Sequence, residues 1–325
     1  MTELLALKTD DGVIATGQAE RALLAGVGAR LVERPCATED ELIEQGRDAA
    51  AILTLDEPLT ARVIASLSRC RVISRFGIGV DKVDVAAATA AGIVVANVPE
   101  YCVDEVSDHA LALLLAVERR IPALDAAVRE GVWDTPAVAG PVRRLHGRRL
   151  GVVGFGRLGR RLAAKAAALG FEVCASDPFV EDGAIEAAGV RPLSLEELLE
   201  SSDVVSLHVP LTPETRHLLD RRRLGSMRPG AVVVNTSRGG LVDEAALVGA
   251  LREGRLGGAG LDVFEHEPPA RDDPLLHLPN VVVTSHSAHY SLESAADMRD
   301  RAFRNVAEVL AGRPPLSAVN TIRRS

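Results

Sequence analysis

Short apolar runs alternate with helix-spaced apolar patterns along most of the chain. In the first hundred residues the runs fall at 29–33, 49–54, 71–75 and 92–97, with helical spacing at 38–45, 60–66 and 83–91 between them. Thr38 followed by Glu41 matches a capping box. Residues 104–120 predict a long, strongly apolar helix, and 121–149 is less regular, with Pro122, Trp133, Pro136 and Pro141, as a connector or an oligomer contact would be. A second series starts at residue 149. Its strand candidates are 150–154, 171–176, 203–208, 231–236, 258–262 and 281–285, its helix candidates 157–169, 195–200, 213–224 and 243–252, and a last helix spans 292–311. Strands alternating with helices imply a parallel sheet covered on both faces, and six such strands make a doubly wound α/β domain.

Composition narrows the class. A chain of 325 residues has room for about two domains. With 47% hydrophobic and 25% charged residues it reads as globular, and its longest apolar run, 110–117, is far short of the ~18 residues that cross a membrane. The start, MTELLALKTDD, shows no signal-peptide pattern, and the tail GRPPLSAVNTIRRS leaves no room for a further domain. Net charge is 37 − 45 = −8 and aromatics are 3%, so no nucleic-acid partner is expected. Cys36, Cys70, Cys102 and Cys174 form no C-x-x-C pair and have no histidine at metal-ligand spacing. They read as buried residues in a reducing, cytoplasmic compartment, with no metal.

Gly154-Phe155-Gly156-Arg157-Leu158-Gly159 fits G-x-G-x-x-G, between an apolar strand and a helix closed by Gly170. The pattern suits a tight turn, close approach of a pyrophosphate, and N–H groups offered by the helix start. Asp177 ends the next strand, 18 residues after Gly159. A carboxylate there accepts from ribose hydroxyls and repels a 2′-phosphate, which favours NAD(H) over NADP(H). Arg238, Glu267 and His286 follow three later strands, each just past the carboxyl end. Reduction of a 2-keto acid needs a proton for the carbonyl oxygen, which a histidine titrating near ~6.5 can supply. A carboxylate fixes its tautomer, and a guanidinium holds the substrate carboxylate and carbonyl. Glu265 and His266 read as solvated loop residues, whereas Glu267 precedes a stiffening Pro268-Pro269. His208, His217 and His277 read as strand-end or surface groups, and His286 and His289 have positions suited to catalysis. No G-x-S-x-G or H-E-x-x-H motif supports a hydrolase.

These residues lie in longer motifs: RFGIGVDKVD (75–84), NVPEYCVDEVSDHALALLLA (97–116), GVVGFGRLGRRLA (151–163), SLHVPLTPETRHLL (206–219), VVVNTSRGGLVDEAAL (232–247), GAGLDVFEHEPP (258–269) and SHS (285–287). Through them the chain resembles the D-isomer-specific 2-hydroxyacid dehydrogenases over nearly its whole length. The resemblance implies two Rossmann-like, doubly wound domains, with a nucleotide-binding domain (99–290) inserted into a flavodoxin-like substrate domain (1–98 and 291–325). It implies Arg238 as the substrate-binding arginine, Glu267 as the histidine's partner and His286 as general acid/base. Cofactor contacts are implied for Gly154, Gly156, Arg157, Leu158, Gly159, Asp177, His208, Val209, Pro210, Thr215, Thr236 and Ser237, with Ser107 and Asp262 near the nicotinamide. Substrate contacts are implied for Gly77, Ile78 and Gly79. Arg75 and the SHSAHYSLES segment look closest to the C-terminal-binding-protein branch, and phosphoglycerate dehydrogenases share most of the motifs. Where that branch carries Trp this chain has His289, which suits a polar or anionic substrate tail; Arg75 would bind a substrate anion or pair with an acid such as Asp81. The implied function is an NAD-dependent D-2-hydroxyacid dehydrogenase, a homodimer acting on a small 2-keto or 2-hydroxy acid. The alternative is an NAD(H)-sensing, dimerising corepressor-like protein.

Overall fold

The computed structural model describes residues 3–10 and 12–322, in two compact units: Met1–Tyr101 with Ser291–Ser325, and Cys102–Tyr290. The first unit begins with β1 (Leu4–Lys8), α1 (Gln18–Ala25), β2 (Ala29–Glu33), α2 (Glu39–Gly46) and β3 (Ala51–Thr54). It continues with α3 (Ala61–Ser66), β4 (Val72–Arg75), α4 (Val85–Ala90) and β5 (Val94–Ala96). Its five parallel strands are ordered β2-β1-β3-β4-β5, the flavodoxin-like arrangement. Thr38 caps α2, and Glu41 bonds back to the Thr38 amide, so the capping box forms. Periodicity marks no element before residue 29, yet β1 is the strand that β2 and β3 flank. The short helix α1 hides from pattern reading because its buried residues are only Glu20 and Leu24.

The second unit opens with α5 (Val103–Glu118), α6 (Ile121–Arg129) and α7 (Thr135–Ala139). Next come β6 (Arg149–Val153), α8 (Arg157–Ala168), β7 (Glu172–Ser176), α9 (Asp182–Glu186), β8 (Arg191–Pro192) and α10 (Leu195–Ser201). The series ends with β9 (Val204–Leu207), α11 (Arg221–Ser226), β10 (Ala231–Asn235), α12 (Glu244–Arg252), β11 (Leu256–Leu261) and β12 (Val281–Val283). A final helix, α13 (Leu292–Leu310), belongs to the first unit and packs on β3 and β4.

The second sheet is parallel, in the order β12-β11-β10-β9-β6-β7-β8. It has seven strands where six were expected, because β8 is only two residues long and carries no pattern. Residues along each strand alternate between two cores. Val152, Val204, Val232 and Val234 join α5 and α8 on one face; Val153, Val205, Val233 and Leu261 join α10 and α12 on the other. The helix expected over 213–224 forms only from Arg221. Thr212 and Thr215 bond each other's backbone amides, which stabilises a turn over a helix, and Asp220 then caps α11. All four cysteines are buried and unpaired with one another. No helix among the described residues is long and apolar enough to cross a membrane.

Candidate active site

The glycine turn joins β6 to α8, and its three glycines do three different things. Gly154 has φ +92, and a Cβ there would stand 2.5 Å from the His208 carbonyl oxygen. Strand order reverses between β6 and β9, so this contact marks the crevice where doubly wound sheets bind ligands. At Gly159 a Cβ would stand 2.0 Å from the Gly154 carbonyl oxygen, so helix and turn touch backbone to backbone. Gly156, by contrast, has nothing within 4 Å of its Cβ position. It also starts α8 without a side-chain cap, at the end of the helix where a dinucleotide-binding turn meets a pyrophosphate.

Asp177 lies one residue past β7. Its Oδ2 accepts the Phe155 amide at 2.8 Å and its Oδ1 the Phe179 amide at 2.9 Å, so it braces the glycine turn from the next strand. Each carboxylate oxygen has two lone pairs, which leaves room for ribose hydroxyls. Past β9, His208 Nε2 lies 2.9 Å from Ser206 Oγ, and its Nδ1 is buried with no partner among the described residues. Burial pushes the His208 imidazole down to about 4, so it is neutral at ordinary pH. Thr236 Oγ1, past β10, is a second buried polar atom without a partner there. Thr215 donates to the Pro210 carbonyl and fixes the loop that begins at Val209, while Ser237 donates to the Leu207 carbonyl. An open glycine flank at the start of α8 and two orphaned polar atoms just past the strands bordering the crevice fit a bound dinucleotide.

The same sheet edge carries the proton-transfer residues. His286 Nδ1 lies 2.7 Å from Glu267 Oε2, and the Glu267 Oε1 accepts the Phe264 amide at 3.0 Å. Burial pushes the Glu267 carboxyl up. The bonds from His286 and Phe264 and the charges of His286 and Arg238 together outweigh it and hold it below the usual carboxylate value. Side-chain exposure is 42% for His286 and 35% for Glu267, so the pair is reachable. Arg238 follows β10 and heads a short 3-10 turn. Gly239 lets that turn close on the β11 loop, since a Cβ would stand 1.8 Å from the Phe264 carbonyl carbon. His289 packs edge-on to His286, with ring centroids 6.2 Å apart.

Other residues singled out from the sequence have these surroundings. Ser107 is fully buried, and its Oγ is engaged with the Val103 and Asp104 carbonyls and with Lys165 of α8. These bonds tie the start of α5 to α8. Asp262 is also fully buried, with Thr284 Oγ1, the Ser287 amide and the Ala288 amide on its carboxylate. Glu265 is not a solvated loop residue, since it holds His217 at 3.0 Å and is 18% exposed. In the first unit, Arg75 pairs with Asp56 and donates to the Leu55 carbonyl, so its guanidinium is already engaged. It lies where a Cβ on Gly77 would be. The amides of Ile78 and Gly79 find no acceptor among the described residues. Sequence reading missed His109 and Thr284, a part-buried pair whose only signal is a polar side chain within an apolar helix and another just past a strand end.

Sheet order and glycine turn together define a class, the doubly wound dinucleotide-binding α/β proteins. Residues 111–288 match the family model described as D-isomer specific 2-hydroxyacid dehydrogenase, NAD binding domain. The chain belongs to the D-isomer specific 2-hydroxyacid dehydrogenase family. It is 42% identical over 299 residues to a D-3-phosphoglycerate dehydrogenase of Mycobacterium bovis, covering 90% of this chain and 55% of that protein. It thus spans about half the length of the phosphoglycerate dehydrogenases that it matches. A glyoxylate reductase of Korarchaeum cryptofilum is 40% identical over 284 residues, 86% of this chain and 85% of that one. Among solved structures, an NADPH-dependent glyoxylate/hydroxypyruvate reductase from Sinorhizobium meliloti, with NADP and malonate, is 29% identical with a TM-score of 0.86, over 100% of both chains.

Proposed function

We propose that the chain is an NAD(H)-dependent D-2-hydroxyacid dehydrogenase that interconverts a small 2-keto acid and its 2-hydroxy acid. The observation that carries this reading is the His286 Nδ1–Glu267 Oε2 bond of 2.7 Å, on the same sheet edge as an open dinucleotide turn. When bound, the nicotinamide supplies or accepts the hydride. Glu267 accepts a hydrogen bond from Nδ1–H, which leaves Nε2 for the substrate. In reduction His286 gives its Nε2 proton to the carbonyl oxygen, and in oxidation it removes the hydroxyl proton. Arg238 is a permanent planar cation that pairs with the substrate carboxylate and stabilises charge on the carbonyl oxygen. Gly77, Ile78 and Gly79 are assigned to substrate on the family resemblance and on the unused amides of the last two.

Preference for NAD(H) over NADP(H) rests on the Asp177 carboxylate, since a 2′-phosphate beside it meets like charge. The NADPH-dependent neighbour makes this a point for direct measurement. A homodimer is supported by the apolar exposure of α6 and the loop after it: Ile121, Val128, Val132 and the 89%-exposed Trp133. Four buried cysteines that form no disulfide suit the cytoplasm. The corepressor-like alternative gains no observation, because the relatives are named as dehydrogenases and reductases. The test is NADH consumption against glyoxylate, hydroxypyruvate, 3-phosphohydroxypyruvate and branched keto acids, with NADPH in parallel. Turnover of one acid with NADH supports the reading. Tight NADH binding without turnover of any of them points to the sensing protein instead.

A further inference from the structure

His286 has φ +52, a left-handed conformation that costs a non-glycine residue energy unless its surroundings impose it. One residue imposes it. The Asp262 carbonyl accepts the His286 amide at 2.8 Å, Oδ1 accepts the Ser287 amide at 2.9 Å, and Oδ2 accepts the Ala288 amide at 2.9 Å. Three successive N–H groups curl around Asp262 as a nest curls around an anion. The carboxylate at its centre is 0% exposed, so its position depends on protein donors alone.

The shortest of those donors is Thr284 Oγ1, at 2.6 Å from Asp262 Oδ1. A hydroxyl has one proton, which here goes to the carboxylate. Thr284 Oγ1 therefore accepts in its other contact, with His109 Nε2 at 2.9 Å. This fixes the His109 tautomer with the proton on Nε2, which also lies 3.5 Å from Asp262 Oδ1. The chain from α5 to the end of β12 reads His109 to Thr284 to Asp262 to the amides that aim His286 at Glu267.

We propose that Thr284 and His109 are positioning residues for the His286–Glu267 pair. They touch neither member of the pair; they fix the carboxylate that holds the amides of Ser287 and Ala288, directly after His286. This rests on the dehydrogenase reading for its kinetic consequence and on the geometry alone for its structural one. Misplacing a reacting group by about 1 Å costs on the order of a hundredfold in rate, so a partial shift costs about tenfold to a hundredfold.

The experiment compares Thr284→Val, nearly isosteric but without a hydroxyl, with Thr284→Ser, which keeps it. The same comparison is made between His109→Leu and His109→Gln, whose amide can still donate. Crystal structures and steady-state kinetics are read on each, with the NADH dissociation constant. In Thr284→Val we expect His286 to leave the left-handed region or its Nδ1 to separate from Glu267 beyond about 3.5 Å. We expect kcat to fall about tenfold to a hundredfold, with NADH affinity unchanged. Thr284→Ser and His109→Gln should keep both the geometry and most of kcat. An unmoved His286–Glu267 pair in Thr284→Val overturns the proposal whatever the kinetics. So does a loss that falls wholly on NADH affinity. If the wild type reduces no 2-keto acid, the functional reading fails, and the crystal comparison still decides the positioning role.

Discussion

Replacing Glu267 by Gln keeps the shape of the side chain and removes its charge. At an effective dielectric of ~20, unit charges ~4 Å apart interact by about 4 kcal/mol. Both members of the pair are more than a third exposed, so solvent screens most of that and about 1.5 kcal/mol remains. That corresponds to roughly tenfold in rate. A second loss adds to it. Glu267 now accepts from two donors, His286 Nδ1 and the Phe264 amide, one on each oxygen. A glutamine has one carbonyl oxygen, so one of those donors faces an NH2 group. The expected fall in kcat is therefore about tenfold to a hundredfold, largest for oxidation of the hydroxy acid, where His286 gains its charge during the step. NADH affinity, measured by fluorescence titration, should be unchanged. A Glu267→Gln enzyme with kcat close to that of the wild type in both directions would refute the role given to the pair.

Asp177→Ala should shift the ratio of NADH to NADPH affinity toward NADPH by about tenfold, the effect of removing one like charge from a 2′-phosphate; an unchanged ratio in binding titrations would remove Asp177 from cofactor choice. Gly239→Ala drives a Cβ into the Phe264 backbone, and denaturant unfolding should show a loss of about 1–3 kcal/mol. Burial holds His208 neutral in the folded protein, with its imidazole pushed from 6.5 down to about 4. The unfolded chain therefore binds a proton there first, so stability is fully present above pH 6.5 and falls as pH drops toward about 4. His208→Gln should flatten that part of the stability profile, and an unaltered profile would contradict it.

Much of the fold was legible because parallel strands buried on both faces read as short, nearly continuous apolar runs. Runs such as 231–236 and 203–208 stand out for that reason, and β10 and β9 form within a residue or two of them. Legibility failed where length or polarity hid the element. β8 has two residues, and α1 has an amphipathic face only two buried residues deep. At 213–220 the apolar spacing was misleading, because two threonine hydroxyls capture the backbone first. Within the site, residues that announce themselves at strand ends come together: Glu267 meets His286, and Arg238 lies within electrostatic reach of Glu267. Glu265 was misread because its partner, His217, lies 48 residues away in sequence.

The most direct test of the central claim is turnover by His286→Ala, with NADH and whichever 2-keto acid the wild type reduces best. Turnover should be lost while NADH binds as tightly as before, because His286 carries the proton and Glu267 serves only through it. Turnover retained at close to the wild-type rate would place the proton donor elsewhere and contradict the assignment of the His286–Glu267 pair.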